Sequence, residues 1–133
     1  MNDLMTATVR IQAPAAAVLD VLLDAERLPD WNPAFLTVAP ASPGTPGSHP
    51  IRVRGGLAGT YRYTEAGPLR VEATWEVPGL SETNYWSLRA EGGETVVEHG
   101  FRHRGMLAAV LRGAFATVAR QRVDRLKSQV ESG

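Results

Sequence analysis

The chain has 133 residues, with 14 Lys plus Arg balancing 14 Asp plus Glu for a formal charge of zero, and no cysteine. That length suits one domain over residues 1–133 with a proper hydrophobic core, while the neutral balance lacks the basic excess of a nucleic-acid binder or of a polybasic membrane anchor. The missing thiols exclude disulfides, thiol catalysis and Cys-ligated metals, and with no basic-then-apolar leader at Met1-Asn2-Asp3 and no run of roughly 20 apolar residues, a cytoplasmic protein without integral membrane association is expected.

From Leu4 to Gln12 apolar and polar residues alternate, with Met5, Ala7, Val9 and Ile11 on one side, which predicts a half-buried strand. Pro14 sits where a first helical residue belongs, because its missing N–H would be unpaired there anyway. Val18, Leu19 and Leu22 give the following helix an apolar face, and Pro29 and Pro33 stop helix propagation around Trp31. Phe35 to Val38 is a candidate short strand, after which four prolines mixed with Gly and Ser mark a loop up to Pro50.

The middle of the chain reads as a meander. Ile51 and Val53, Tyr61 and Tyr63, Val71 to Val77, and Trp86 and Leu88 each alternate with polar neighbours, and Glu94 to His103 forms the last strand. Gly67-Pro68, Pro78-Gly79 and Gly92-Gly93 supply the turns. From Met106 to about Val130 the apolar period changes from two to 3.6, with a stripe through Leu107, Val110, Leu111, Ala114, Phe115 and Val118 that drifts into Ala119, Val123, Leu126 and Val130. One continuous helix of about 36 to 40 Å is expected, bent near Gly113.

The segments V-R-I-Q-A-P and L-D-A-E-R-L-P-D-W-N-P, then W-S-L-R-A-E-G-G-E-T-V-V-E-H and the final helix, together resemble the START-like, polyketide cyclase/dehydratase-like superfamily (SRPBCC, Bet v 1-like). The resemblance covers essentially the whole chain and implies an α+β helix-grip fold: a curved antiparallel sheet wrapped around a long C-terminal helix, with two short helices after the first strand. It further implies an apolar cavity for a small molecule. The Gly55-to-Gly59 stretch departs from larger relatives and points to a smaller or more open sheet.

Alternation places Thr95, Val97, His99, Phe101 and His103 on one face of the last strand, and the resemblance turns that face toward the cavity. The two imidazoles lie about 13 Å apart at ~3.3 Å per residue, too far to share one metal. Each is either a general acid or base or simply a hydrogen-bonded polar residue near a strand end. Trp31, Tyr61, Tyr63, Trp75, Trp86, Phe101 and Phe115 form either aromatic cavity walls or ordinary core. The resemblance favours Trp31 as a residue at the mouth.

Glu65 continues the Tyr61–Tyr63 face, where it either orients a ligand hydroxyl or lies in the turn before Gly67-Pro68. Arg52, Arg54, Arg62, Arg70, Glu72, Glu76 and Glu98 are assigned to the convex, solvated face. No phosphate-binding glycine loop, zinc-protease helix or nucleophile elbow is present.

The candidate catalytic residues are therefore His99, His103, Tyr61 and Glu65. The candidate ligand contacts are Trp31, Tyr61, Tyr63, Trp75, Trp86, Val97, His99, Phe101, Leu111 and Phe115, with no metal or cofactor. The favoured function is binding of a small hydrophobic or aromatic ligand, with cyclase- or dehydratase-like turnover by confinement and one proton relay. A non-catalytic carrier or sensor and a protein-interaction module are the alternatives.

Overall fold

The computed structural model describes residues 4–110 and 112–133. Seven strands, β1 (Met5–Ile11), β2 (Phe35–Val38), β3 (Ser48–Val53), β4 (Ala58–Ala66), β5 (Arg70–Val77), β6 (Leu80–Glu91) and β7 (Glu94–Arg104), form one sheet. Its order is β1-β7-β6-β5-β4-β3-β2, all neighbours antiparallel, so the chain meanders inward from β2 and the first strand closes on the last. The curved antiparallel sheet, the C-terminal helix and the short helices after β1 make the helix-grip fold that the sequence implied.

Between β1 and β2 lie α1 (Ala15–Leu22) and a 3-10 helix over Ala25–Asp30. Pro14 precedes α1 as its N-cap, one position earlier than expected; its carbonyl accepts from the amides of Ala17 and Val18. Val18 and Leu22 pin α1 to the core, as their spacing of four predicts. The Gly55-Gly56 pair is the β3–β4 turn, with φ of 99° and 90° that only glycine adopts easily. β4 then runs for nine residues, so the glycines mark a turn and the sheet is not truncated.

Period-two burial is clearest in the centre of the sheet. Val71, Ala73, Trp75 and Val77 of β5 are buried, as are Leu80, Glu82, Asn84, Trp86 and Leu88 of β6 and Val97, His99 and Phe101 of β7. These residues line the concave face that the C-terminal segment covers.

That segment departs from the expected single helix. It divides into α2 (Met106–Val110), a 3-10 turn over Arg112–Phe115, and α3 (Val118–Ser132). Residues Ala119, Arg122, Val123, Leu126 and Val130 form the buried stripe of α3. Upstream, Met106 and Val110 are 83% and 77% exposed, and Phe115 and Val118 are only half-buried. Without burial to hold it, a short helix is marginal, and Gly113 adds its own backbone-entropy cost. The expected stripe from Leu107 through Phe115 and Val118 is thereby corrected: tight packing begins at Ala119, and Leu111 lies outside the described residues.

Candidate active site

Four inward-facing strand residues and one helix residue meet beneath the start of α3. Glu82 on β6 lies directly opposite His103 on β7, and Trp86 opposite His99. Arg122 reaches down from the first turns of α3 and grips Glu82 with two hydrogen bonds, Nη1 to Oε2 at 2.8 Å and Nη2 to Oε1 at 2.9 Å. His103 Nε2 donates to Glu82 Oε1 at 2.7 Å, and the Asn84 amide donates to Oε2 at 2.8 Å. The guanidinium carbon also sits 4.6 Å from the centre of the Phe101 ring, a cation–π contact.

Glu82 and Arg122 are 1% and 2% exposed, so each needs the other. Burial alone would raise the Glu82 carboxyl, but the Arg122 charge and the hydrogen bonds from His103 and Arg122 outweigh it and hold the group well below the usual carboxylate range. The result is a buried ion pair with two polar neighbours.

His99 is the sealed member of the cluster. Arg122 Nη1 donates to its Nε2 at 3.3 Å, which leaves the ring proton on Nδ1 to donate to the Tyr85 carbonyl at 3.0 Å. Its ring stacks on Trp86 with centroids 3.7 Å apart. Burial, reinforced by the Arg122 charge and partly offset by Glu82 and the Tyr85 carbonyl, pushes the imidazole down to about 3. With both nitrogens engaged and no exposure, His99 is a neutral structural bridge.

His103 faces free space. Its side chain lines a cleft of ≈ 500 Å³ between the sheet and the C-terminal segment, together with Trp75, Val77, Leu80, Phe115, Val118 and Arg122. Pro33, Val53 and Leu57 complete the far wall. Behind His103, a smaller hollow of ≈ 190 Å³ opens between Met5, Phe101, Ala108 and Phe115. The Phe115 ring meets the His103 ring edge-on at 4.2 Å, and both residues line both spaces. Once Glu82 holds Nε2, His103 Nδ1 has no protein partner among the described residues, which suits an imidazole that exchanges a proton with a guest. No group of three or more His, Cys, Asp or Glu residues among those described is arranged to hold a metal.

The other residues singled out from sequence scatter around this cleft. Trp75 and Phe115 line it. Val97 and Phe101 are buried beside the histidines. Trp86 is behind His99, and Trp31, expected at the mouth, is 2% exposed and packs edge-on against Trp86 at 5.4 Å. Its position after the 3-10 helix folds it inward as core.

Tyr61 is buried against Phe35 and Tyr63. Burial first, then Tyr63 and Glu82, raise its phenol well above the ordinary value, so it stays protonated. Tyr63 donates to the Leu22 carbonyl at 2.6 Å and so ties β4 to α1. Glu65 is exposed at the end of β4, after a register shift between Tyr63 and Glu65 breaks the alternation that placed it inward. His103, although near the strand end, has a side chain only 8% exposed, because β6 and Phe115 cover it.

The family model described as "Polyketide cyclase / dehydrase and lipid transport" matches residues 4–131. The chain belongs to this polyketide cyclase and lipid transport family. No curated protein matches it in sequence. Among solved structures it is similar to a START superfamily protein from Mycobacterium smegmatis, at 16% identity over 97% of both chains and a TM-score of 0.75. It is also similar to norcoclaurine synthase from Thalictrum flavum in complex with dopamine and hydroxybenzaldehyde, at 13% identity, 97% of this chain, 86% of that one and a TM-score of 0.70. DynU16, a protein of the dynemicin biosynthetic locus, matches at 19% identity and a TM-score of 0.71, with all of this chain covering 49% of that one. At these identities the structural likeness carries the fold alone.

Glu82, Asn84 and Arg122 are the cluster members that sequence reasoning missed. A signal existed for each. Leu80, Glu82, Asn84, Trp86 and Leu88 occupy alternate positions of one strand, which places two polar residues on an otherwise apolar face. Arg122 falls three residues after Ala119 and four before Leu126, inside the family protein's buried helix stripe.

Proposed function

We propose that this domain binds a small hydrophobic or aromatic molecule in the cleft between the sheet and the C-terminal segment, in a cytoplasmic setting and without a nucleic-acid partner. The observation that carries this reading is the cleft itself: ≈ 500 Å³, walled mainly by apolar side chains and ending on His103 and Arg122. Its size falls within the ~300–1,000 Å³ typical of small-molecule sites, and a few polar groups on an apolar wall fix a guest's orientation. Trp75 Nε1 and Arg122 Nε are buried donors without a partner among the described residues, on two residues of that wall. Such groups favour a guest that brings an acceptor oxygen to that end.

The chemistry that fits is removal or delivery of one proton beside a carbonyl. Glu82 orients the His103 ring by holding Nε2, Nδ1 takes the proton, and the walls hold a flexible chain folded. The family's description names cyclases and dehydrases, and this single relay suits either. The same description names lipid transport, and a carrier needs only the walls. Glu82 and His99 are fully engaged within the protein and Arg122 spends both of its terminal nitrogens there, which is the observation that keeps the carrier reading in play.

Thermal-shift screening of aromatic and acyl compounds against the protein, with Leu57→Trp narrowing the cleft, tests binding. Hits should lose their stabilising effect in that variant; hits that stabilise both forms equally would refute the cleft. For any hit that is turned over, His103→Gln should abolish turnover while the hit still binds. Binding without turnover in the parent protein makes it a carrier.

A further inference from the structure

The fixed charges that line the cleft among the described residues are all of one sign. Arg54, Arg122 and Arg125 line it, and no described Asp or Glu does, in a chain whose 14 basic and 14 acidic residues balance. Arg122 is neutralised by Glu82 behind it. Arg54 and Arg125 are not. Both are exposed at the rim, and neither makes an ion pair among the described residues. Arg54 spends its Nε on the Pro33 carbonyl at 3.1 Å, which fixes the guanidinium beside the wall formed by Pro33 and Ala34, and Arg125 has no hydrogen-bond partner among the described residues.

The sequence sharpens this asymmetry. Between Glu98 and Asp124, the stretch that brings His103, Phe115, Val118, Gln121 and Arg122 to the cleft, the chain has no acidic residue. The nearest exposed carboxylate on α3, Asp124, is engaged by Arg120 at 3.4 Å. A low-dielectric apolar cleft with positive charge at its rim concentrates anions.

We infer that the ligand is an amphipathic organic anion, whose apolar or aromatic body fills the cleft and whose carboxylate, sulfonate or phosphate sits at the rim between Arg54 and Arg125. This rests on the cleft-binding reading above and adds to it the chemical class of the ligand. Guanidinium groups suit this task, since their planar fork matches an oxyanion with two parallel hydrogen bonds.

The test uses two dyes with the same aromatic body, anilinonaphthalene sulfonate and its uncharged parent phenylnaphthylamine. Fluorescence titration of the full chain should give ~10-fold tighter binding of the sulfonate at ~0.1 M salt, and most of that advantage should vanish at ~1 M salt as the screening length shortens. Arg125→Gln should weaken the sulfonate alone, Arg125→Glu should weaken it further, and Arg125→Lys should restore part of the loss. Arg125 makes no internal bond, so these variants should unfold at the parent's temperature. Amide shifts at Leu57, Val77 and Gln121 on dye addition would place the dye in the cleft. Equal affinity for the two dyes, or equal weakening of both by Arg125→Gln, overturns the anion inference while leaving the cleft reading standing. Failure of both dyes to bind, or shifts confined to other surfaces, overturns the cleft reading itself.

Discussion

Beneath the second half of α3 the interior is closed: Ile11, Val18, Val97, Val123 and Leu126 have no exposed surface. Beneath its first turn and the short helices before it, the same concave sheet face opens into a cleft of ≈ 500 Å³. The strand patterns feeding the two halves do not differ, since Trp75 and Val77 alternate as regularly as Val97 and Phe101. What differs is the lid. Where the helical period is unbroken, a stripe meets the sheet and fills it; where the segment breaks over residues 112–117, half-buried Phe115 and Val118 stand off from it. The Glu82–Arg122 pair lies on the boundary, gripping the first turns of α3 to β6, and it separates the packed core from the open cleft.

Breaking that boundary should have the largest effect. Glu82→Ala leaves the Arg122 charge buried without its partner, which costs about 3–5 kcal/mol when a buried ion pair loses one member. Urea unfolding measures it, and a loss under about 1 kcal/mol would mean that water already reaches the pair. Replacing both residues together, with Glu82→Leu and Arg122→Met, should cost less than Glu82→Ala alone, because no orphaned charge remains.

The two halves themselves should answer differently to truncation. Leu126→Ala removes a fully buried side chain from the closed half and should cost about 2–5 kcal/mol, mostly through the cavity left behind. Phe115→Ala removes a larger but half-buried ring from the open half, where the existing cleft merely widens, and about 1 kcal/mol is expected. Equal losses at the two positions would erase the distinction between core and cleft.

Acid should find the boundary next. The unfolded His99 imidazole takes up a proton below 6.5, while the folded one resists down to about 3, so the unfolded state gains protons first as pH falls. Stability attributable to His99 is therefore complete above 6.5, declines through that range and is fully lost near 3. Glu82, depressed in the fold, holds its stabilising contribution above 4.5 and loses it only at lower pH. The window between 6.5 and 4.5 thus isolates the histidine, with a loss of about 2 kcal/mol at 2.303RT per proton per pH unit. In His99→Gln the slope of stability against pH across that window should flatten; an unchanged slope would assign it to other groups.

The closed half was the more legible of the two in the sequence, and the reason is physical. Alternation and the 3.6 period report which residues turn away from water, so β1, β5, β7 and the Ala119–Val130 stripe could be read from Met5, Val71, Val97 and Val123 outward. The same signals are blind to a buried charge pair, because Glu82 and Arg122 look solvent-seeking one at a time and are 40 residues apart. His99 and His103 were placed on the correct face, since the side chains of β7 alternate and only the glycine at 100 breaks the burial pattern. Which of them is sealed depends on Arg122 and Phe115, both supplied by a different element. The break before α3 was equally hidden: Leu107, Ala114, Phe115 and Val118 keep helical spacing whether or not anything packs against them.

The smallest expected effect tests whether that break is a property of the residue at its centre. Gly113 is exposed, its φ is not in the positive range, and a methyl group added there would meet nothing within 4 Å. Gly113→Ala should therefore stabilise the protein by about 0.4–1 kcal/mol, chiefly by restricting the unfolded chain. If the glycine also sets the break, the alanine variant should gain helical circular dichroism, and a dye held in the cleft should bind more weakly as Phe115 and Val118 settle toward the sheet. If stability rises while helicity and dye binding stay as they were, the break is imposed by the lack of a packed stripe upstream of Ala119, and the cleft is then maintained by tertiary structure and not by one residue's backbone preference. A destabilised Gly113→Ala would contradict both accounts, since it would require a close neighbour for the new methyl where the structure has open space.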